Sequence, residues 1–86
     1  MTPPTFELVI GEGCDANVAE GVRSILGENV PERAVHEVGQ ADIVVAVGGD
    51  GTIMRVARQV LDAGATSRIL GVSGGRLGFL AAFELE

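Results

Sequence analysis

The residues best suited to chemistry form one short run, Gly48-Gly49-Asp50-Gly51-Thr52. Glycines let a backbone approach a ligand closely, and the start of a following helix offers free N–H groups and the positive end of a dipole. Together these features suit a phosphate. An aspartate here would repel a bare anion, but it can organise Mg²⁺ on phosphates or accept a proton from an attacking hydroxyl. The run therefore predicts a phosphate-handling site around Asp50. The alternative is a plain Gly-Asp-Gly turn that only caps a helix.

The elements on both sides of this run place it at one edge of a sheet. Residues 42–47 are mostly apolar and predict a buried strand, whereas residues 52–63 predict an amphipathic helix because their apolar residues recur at helical spacing. Asp50 then lies at the carboxyl end of a strand, where open α/β sheets bind their ligands. Arg55, one turn into the helix, is expected close enough to Asp50 to help hold a ligand.

A second glycine-rich segment, residues 73–80 with the sequence SGGRLGFL, follows another predicted strand, Ile69–Val72. We expect it beside the first glycine turn, at the same edge of the sheet. Gly75 belongs to this turn. Arg76 could meet a phosphate or an acidic partner, and Phe79 could stack on a base. The alternative is that Phe79 is a core residue and that Arg76 is solvated.

A third glycine turn, Gly11-x-Gly13-x-x-Ala16, formally matches a dinucleotide-binding fingerprint, and Glu37 follows at about 20 residues, the usual distance of the acidic residue. The match is short, and Glu12 would lie near the pyrophosphate. A plain glycine turn in an α/β unit is the preferred interpretation.

Composition narrows the classes of function. A chain of 86 residues with 47% hydrophobic residues suits one small α/β domain, and its net charge of −6 disfavours nucleic-acid binding. All six basic residues are arginines. A bound phosphate must therefore be neutralised by backbone N–H groups, arginine or a metal, since neither a Schiff-base lysine nor a Walker-type lysine is available.

The cysteine count and the hydropathy of the chain favour a cellular compartment and a kind of partner. Cys14 is the only cysteine, which excludes an internal disulfide and favours a reduced, cytoplasmic setting. We expect no membrane partner, because no stretch approaches the roughly 20 apolar residues of a membrane span. A signal peptide is not expected either.

His36 and Ser73 have no partners at the spacing of a metal site or a nucleophile and are expected to be structural.

The remaining elements complete the predicted fold. Phe6–Ile10 is a strand, and Ala34–Val38 is a short one. Between them a helix runs from an N-cap at Asp15 to Gly27, with one apolar face formed by Val18, Val22, Ile25 and Leu26. The order β-α-β-β-α-β predicts a three-layer, Rossmann-like parallel sheet of about four strands with flanking helices. We expect residues 1–86 to be a single α/β domain and the first half of a larger protein.

Both glycine motifs, in this order and at this separation, resemble the amino-terminal domain of the NAD kinases. The resemblance covers about residues 42–81. The first motif is shared with diacylglycerol and sphingosine kinases and, in a variant form, with phosphofructokinases. The run Arg76-Leu77-Gly78-Phe79-Leu80, preceded by Gly75, is what indicates NAD kinase.

The resemblance implies a fold, an activity and a set of site residues. In that family an α/β domain precedes an all-β domain, and we expect the all-β domain to be absent from residues 1–86. ATP or polyphosphate phosphorylates the 2′-hydroxyl of the adenosine ribose of NAD, with Mg²⁺ or another divalent cation assisting. Asp50 is implied as general base and ligand organiser. The implied nucleotide-binding residues are Gly48, Gly49, Asp50, Gly51, Thr52, Arg55, Gly75, Arg76 and Phe79.

Two other functions remain open. The chain could be a truncated, inactive module that binds nucleotide or dimerises, or the catalytic half of a diacylglycerol or sphingoid kinase. In either case we expect a homo-oligomer or a second domain to complete the site.

Overall fold

The computed structural model describes residues 2–73 and 76–78, with Ser73 and residues 76–78 described by their backbone only. Along the chain the elements are β1 (Phe6–Ile10), α1 (Ala16–Leu26), a 3₁₀ helix (Val35–Glu37), β2 (Ile43–Val47), α2 (Asp50–Asp62), β3 (Arg68–Ser73) and β4 (Arg76–Gly78). No helix in these two ranges is long and apolar enough to cross a membrane.

The four strands form one sheet in the order β1-β2-β3-β4. The first three are parallel, in a register that aligns Ile10 with Val47 and Val47 with Val72. The short β4 runs antiparallel to β3 and pairs Leu77 with Val72. The α/β prediction is confirmed, with a correction: the fourth strand is neither parallel nor the one expected from the sequence.

The core has two faces because β2 is covered on both sides. On one face Val44 and Ala46 pack with Val56 of α2, and on the other Val45 and Val47 pack with Val22 of α1. Val44 to Val47 are all at most 1% exposed. A continuous apolar strand is what a central parallel strand requires, so the predicted three-layer arrangement is confirmed.

Helix α1 begins and ends as predicted. The Asp15 side chain accepts a hydrogen bond of 2.8 Å from the Asn17 N–H, and the helix closes at Gly27. One residue of its predicted apolar face is wrong. Ile25 is 77% exposed, whereas Val22 is 8% exposed. The two positions are about 60° apart around the helix, so Ile25 lies at the margin of the apolar stripe and not on the part that meets the sheet.

The predicted strand Ala34–Val38 is also wrong, since a 3₁₀ helix takes its place. Two hydrogen bonds between Ala34 and Glu37 stabilise this turn. The Glu37 N–H donates to the Ala34 carbonyl over 3.0 Å, and the Glu37 carboxylate accepts from the Ala34 N–H over 3.0 Å. Only Val38 contributes a fully buried side chain. These local bonds satisfy groups that a sheet ladder would otherwise have paired.

The outer edge of β1 is partly covered by the chain just before this 3₁₀ helix. Leu8 donates its N–H to the Pro31 carbonyl over 3.0 Å and accepts from the Arg33 N–H over 2.7 Å. These two bonds make an isolated parallel bridge between Leu8 and Glu32. Segment 31–33 thus covers the middle of the outer edge of β1, just before the residues for which a strand was predicted.

A buried carboxylate in β1, that of Glu7, bonds to Arg33 and to the residues that lead into β2. Glu7 is 2% exposed, and its Oε1 accepts N–H bonds of 3.1, 3.0 and 2.9 Å from Gly39, Gln40 and Ala41. Burial by itself raises the pKa of this carboxyl, but the three backbone N–H groups and the Arg33 guanidinium together bring the pKa below its usual value. Glu7 is therefore a buried anion that fixes the entry into β2.

Candidate functional site

The carboxyl ends of the parallel strands meet at one edge of the sheet, and two glycines continue the sheet just past the strands. The Gly11 N–H donates to the Val47 carbonyl over 2.7 Å, and the Gly48 N–H donates to the Val72 carbonyl over 2.9 Å. The turn after β1 and the turn after β2 are therefore fixed to neighbouring strands. This is the edge at which open α/β sheets bind ligands.

A threonine side chain is packed against both of these glycines. An ideal Cβ on Gly11 would lie 3.0 Å from both Cβ and Cγ2 of Thr52, and closer still to its Oγ1. A Cβ on Gly48, whose φ is +154°, would lie 2.9 Å from the same oxygen. Glycine is required at both positions because the Thr52 side chain takes the space that another side chain would need.

A small crevice of about 180 Å³ lies between the two glycine turns. The first turn and the start of α1 form one wall, and the end of β2 with its glycines forms another. The residues that line it are Glu12, Gly13, Cys14, Asp15, Val18, Val47, Gly48, Gly49 and Val72. A plain glycine turn was the preferred interpretation of the first turn, and its glycine spacing after β1 was the signal that could have assigned it to this site.

Asp50 is the first residue of α2 and stands next to the crevice, directly after Gly49. Both Asp50 and Gly51 are exposed. Gly49 is the N-cap and supplies no side-chain bond, while its carbonyl accepts the N–H of Thr52 over 3.1 Å. The helix start thus offers backbone N–H groups and a dipole to an anion, with a carboxylate at its first position.

Arg55 is exposed on α2 and lines a different cavity. This groove of about 530 Å³ runs between the 3₁₀ helix and the outer side of α2, and its residues are Val35, His36, Met54, Arg55, Arg58, Gln59 and Asp62. The side chain is five positions beyond Asp50, about 140° further around the helix. The structure does not bring Arg55 to the crevice between the glycine turns.

The second predicted glycine motif is described only in part. Gly75 and Phe79 lie outside the described residues. The backbone of Arg76 begins β4 and pairs with Ser73 at the carboxyl end of β3. The expectation that this motif lies beside the first glycine turn is met at Ser73, because the preceding residue, Val72, accepts the Gly48 N–H.

The donors near the crevice suit a cation that is held mainly by a ligand. Within residues 2–73 and 76–78 no cluster of three or more His, Cys, Asp or Glu side chains could enclose a metal. Mg²⁺ usually keeps several waters and takes one or two carboxylates together with substrate phosphates. Asp50 beside the crevice, and Glu12 in its wall, fit that mode of binding.

Comparison with known proteins agrees with this geometry. Residues 7–86 match the family model for the ATP-NAD kinase N-terminal domain. The match is longer than the 42–81 resemblance predicted from the motifs, and it takes in β1 and α1.

Several curated relatives are NAD kinases. That of Halorubrum lacusprofundi is 41% identical over 80 residues, which are 93% of this chain and 28% of the relative. That of Moorella thermoacetica is 41% identical over 76 residues, 86% of this chain and 24% of the relative. That of Thermotoga neapolitana is 44% identical over 55 residues, 64% of this chain and 20% of the relative.

The chain spans at most 28% of the length of these three relatives. The family model, in contrast, covers nearly all of the chain, from β1 through β4 and beyond. The chain therefore belongs to the ATP-NAD kinase family, and it is the family's N-terminal domain that it matches.

Proposed function

We propose that this chain is the α/β part of an NAD kinase, which phosphorylates the 2′-hydroxyl of the adenosine ribose of NAD to give NADP. ATP or polyphosphate is the proposed phosphoryl donor. The observation that carries the proposal is the position of Asp50: an exposed carboxylate at the first residue of α2, next to a crevice lined by Gly48 and Gly49.

Asp50 is proposed to accept the proton of the attacking hydroxyl. The ribose oxygen forms a bond to the terminal phosphorus of the donor, and the bond from that phosphorus to the bridging oxygen breaks. The remaining phosphates leave as ADP or as a shortened polyphosphate. A hydroxyl is a weak nucleophile until a base takes its proton, and a carboxylate within hydrogen-bond reach of it can do so.

The backbone of the glycine turns is proposed to hold the phosphates. Gly48, Gly49 and Gly51 allow close approach, and the first N–H groups of α2 point toward an anion there. A divalent cation, when bound, would neutralise charge on the phosphates, with Asp50 as the residue that organises it. Because the chain has no lysine, this task falls to backbone, arginine and cation.

Four further residues are proposed to contact the nucleotides on the strength of the family resemblance. These are Arg55, Gly75, Arg76 and Phe79. Arg55 would do so from the outer side of α2, so a bound nucleotide that reaches it must extend beyond the crevice. A second domain or a second copy of the chain is proposed to form the opposite wall of the site.

The test is NADP formation by the chain with NAD, ATP and Mg²⁺, compared with the variant Asp50→Asn. The variant is nearly isosteric but cannot accept the proton, so we expect its rate to fall at least about 100-fold. Asp62→Asn is the matched control, because Asp62 is an exposed aspartate at the far end of the same helix.

The outcomes separate the candidate functions. Equal rates from the unsubstituted chain and Asp50→Asn would contradict the role of Asp50. If neither forms NADP but NAD or ATP raises the temperature of unfolding, the chain is a nucleotide-binding module.

A further inference from the structure

We propose that Thr52 is a positioning residue whose side chain holds the turn after β1 against the turn after β2. By this contact it fixes residues 11–15 as one wall of the nucleotide crevice. The inference deepens the proposed function and rests on it for the identity of the ligand. It assigns Thr52 a role different from the expected one: not to bind the nucleotide but to place the groups around it.

The contact joins two turns that are far apart in sequence. Thr52 belongs to the second turn, and Gly11, 41 positions earlier, belongs to the first. An alanine Cβ at Gly11 would lie 3.0 Å from Thr52 Cβ and 3.0 Å from Thr52 Cγ2. These carbon–carbon distances are tighter than nearly all real contacts, and Thr52 Oγ1 would lie closer still, so the side chain of Thr52 already occupies the space beside Gly11.

The contact is specific to two of the glycines. An added Cβ on Gly13 or Gly49 would meet nothing within 4 Å, although both lie in the same two turns. Of the glycines in these two turns, Gly11 and Gly48 are the ones that face Thr52. The Thr52 side chain therefore packs at Gly11 and Gly48, where the two turns leave the sheet. The space beside Gly13 and Gly49, which line the crevice, is not filled by other atoms.

Both ends of the contact are held rigidly. Thr52 is anchored by its N–H bond to the Gly49 carbonyl, and its branched side chain has few rotamers. Gly11 is anchored by its bond to Val47, and its own carbonyl accepts the N–H of Cys14 over 3.2 Å. A shift of the start of α2 would thus be passed through Thr52 to Gly11 and on to the crevice wall.

The placement of the Thr52 side chain separates it from the crevice. Thr52 is half-buried and is not among the residues that line the cavity, whereas Gly48 and Gly49 of the same turn are. Its Oγ1 is the atom nearest to the positions that a Cβ on Gly11 or Gly48 would take. The hydroxyl is directed toward the two glycines.

The contact itself is tested without any ligand, by a double-mutant cycle of Gly11→Ala and Thr52→Gly. Gly11 does not have a positive φ, and the three atoms nearest to an alanine Cβ there all belong to Thr52. We expect Gly11→Ala to lower the unfolding midpoint by about 5–20 °C, as overpacking does in a domain of this size. In the Thr52→Gly background the same change should cost far less, because the opposing side chain is gone.

Gly21→Ala is the matched control, since Gly21 lies in α1 with nothing within 4 Å of an added Cβ. It should not lower the midpoint in either background. Equal effects of Gly11→Ala with and without Thr52 would overturn the inference.

The positioning role is tested by nucleotide affinity, measured with MgATP and with NAD at a temperature well below all unfolding midpoints. Thr52→Val keeps the shape and removes the hydroxyl, and we expect its Kd within about threefold of the unsubstituted chain. Thr52→Gly removes the packing and should raise the Kd about tenfold or more. A loss of that size in Thr52→Val would show that the hydroxyl binds the ligand and would overturn the inference.

The failure of the inference can be told apart from the failure of the proposed function. If the unsubstituted chain binds neither MgATP nor NAD, the proposed function is overturned and the nucleotide part of the inference with it. If the chain binds and Thr52→Gly leaves the Kd unchanged, the inference alone is overturned, since a purely structural contact would alter the unfolding midpoint without altering affinity.

Discussion

The Arg33 guanidinium Nε lies 3.2 Å from Oε2 of Glu7, a carboxylate that is 2% exposed at the second residue of the edge strand β1. The other oxygen of Glu7 accepts three backbone N–H groups from residues 39–41, which lead into β2. β2 in turn ends at the glycine turn before Asp50. The register of the strand that carries the candidate site is thus fixed at its start by a buried anion.

Glu7→Gln should destabilise the chain by about 2–3 kcal/mol, because it leaves Arg33 without its partner and weakens bonds that a charged acceptor strengthens. Urea unfolding measures the change. Glu20→Gln is the control: the Glu20 side chain is 72% exposed and contacts Arg23 at the surface, so its loss should cost less than about 0.5 kcal/mol. Equal effects of the two changes would contradict a structural role for Glu7.

Acid should destabilise the chain partly through Glu7. Its folded-state pKa is below the usual value, so at falling pH the unfolded chain binds the proton first. The stability that Glu7 contributes is therefore complete above about pH 5 and is lost as the pH falls past about 4.3, the ordinary value for Glu, and through the folded pKa.

The measurement of this pH dependence is a series of urea unfolding curves from pH 7 to pH 3. The Glu7→Gln variant should lose less stability than the unsubstituted chain over this range. Some acid dependence will remain in the variant, because the hydrogen bond from Arg23 also lowers the pKa of Glu32. Two parallel profiles would show that Glu7 does not titrate with folding.

Much of the fold could be predicted because local patterns decide it. The apolar run of β2 and the Asp15 N-cap of α1 depend only on residues close in sequence. The strand expected at Ala34–Val38 failed because the Glu37 carboxylate bonds the Ala34 N–H and stabilises a 3₁₀ helix. Such side-chain competition for backbone groups leaves little trace in hydrophobic periodicity.

Alanine in place of a glycine should raise the free energy of unfolding at Gly21 within α1 and lower it at Gly64 after α2. Gly21 lies inside α1, and an alanine there meets nothing within 4 Å, so Gly21→Ala should stabilise by about 0.5–1 kcal/mol. Gly64 follows α2 with φ +66°, also in open space, so Gly64→Ala should destabilise by about 1–2 kcal/mol through backbone strain alone. Thermal unfolding of the two variants checks both signs. Stabilisation by Gly64→Ala would show that the turn after α2 is not left-handed.

Two apolar residues of α1 should differ sharply in their response to truncation. Val22 is 8% exposed and packs in the core, so Val22→Ala should cost about 2 kcal/mol through lost burial and a small cavity. Ile25 is 77% exposed, so Ile25→Ala should change stability by less than about 0.5 kcal/mol although it removes more carbon. Urea unfolding of both variants measures this difference, and a larger cost at Ile25 would indicate that this residue is covered in solution.

Asp50 and the glycines around it could be predicted from the sequence, but the contact that places the turn after β1 beside them could not. Asp50 and its glycines are contiguous in sequence, so their chemistry is visible there. The packing of Thr52 on Gly11 is a contact across 41 positions and depends on the parallel register of β1 and β2. Arg55 is the reverse case, since nearness in sequence to Asp50 did not bring its side chain to the crevice between the glycine turns.

The bridge between Leu8 and Glu32 has a consequence for self-association. Leu8 is the central residue of β1, and both of its outward backbone groups are already bonded to segment 31–33. A strand from another molecule that approached this edge would have to displace those two bonds before it could add to the sheet. Pro31 in the covering segment has no N–H to offer a further strand. The segment thus protects this edge of the sheet against intermolecular β-pairing.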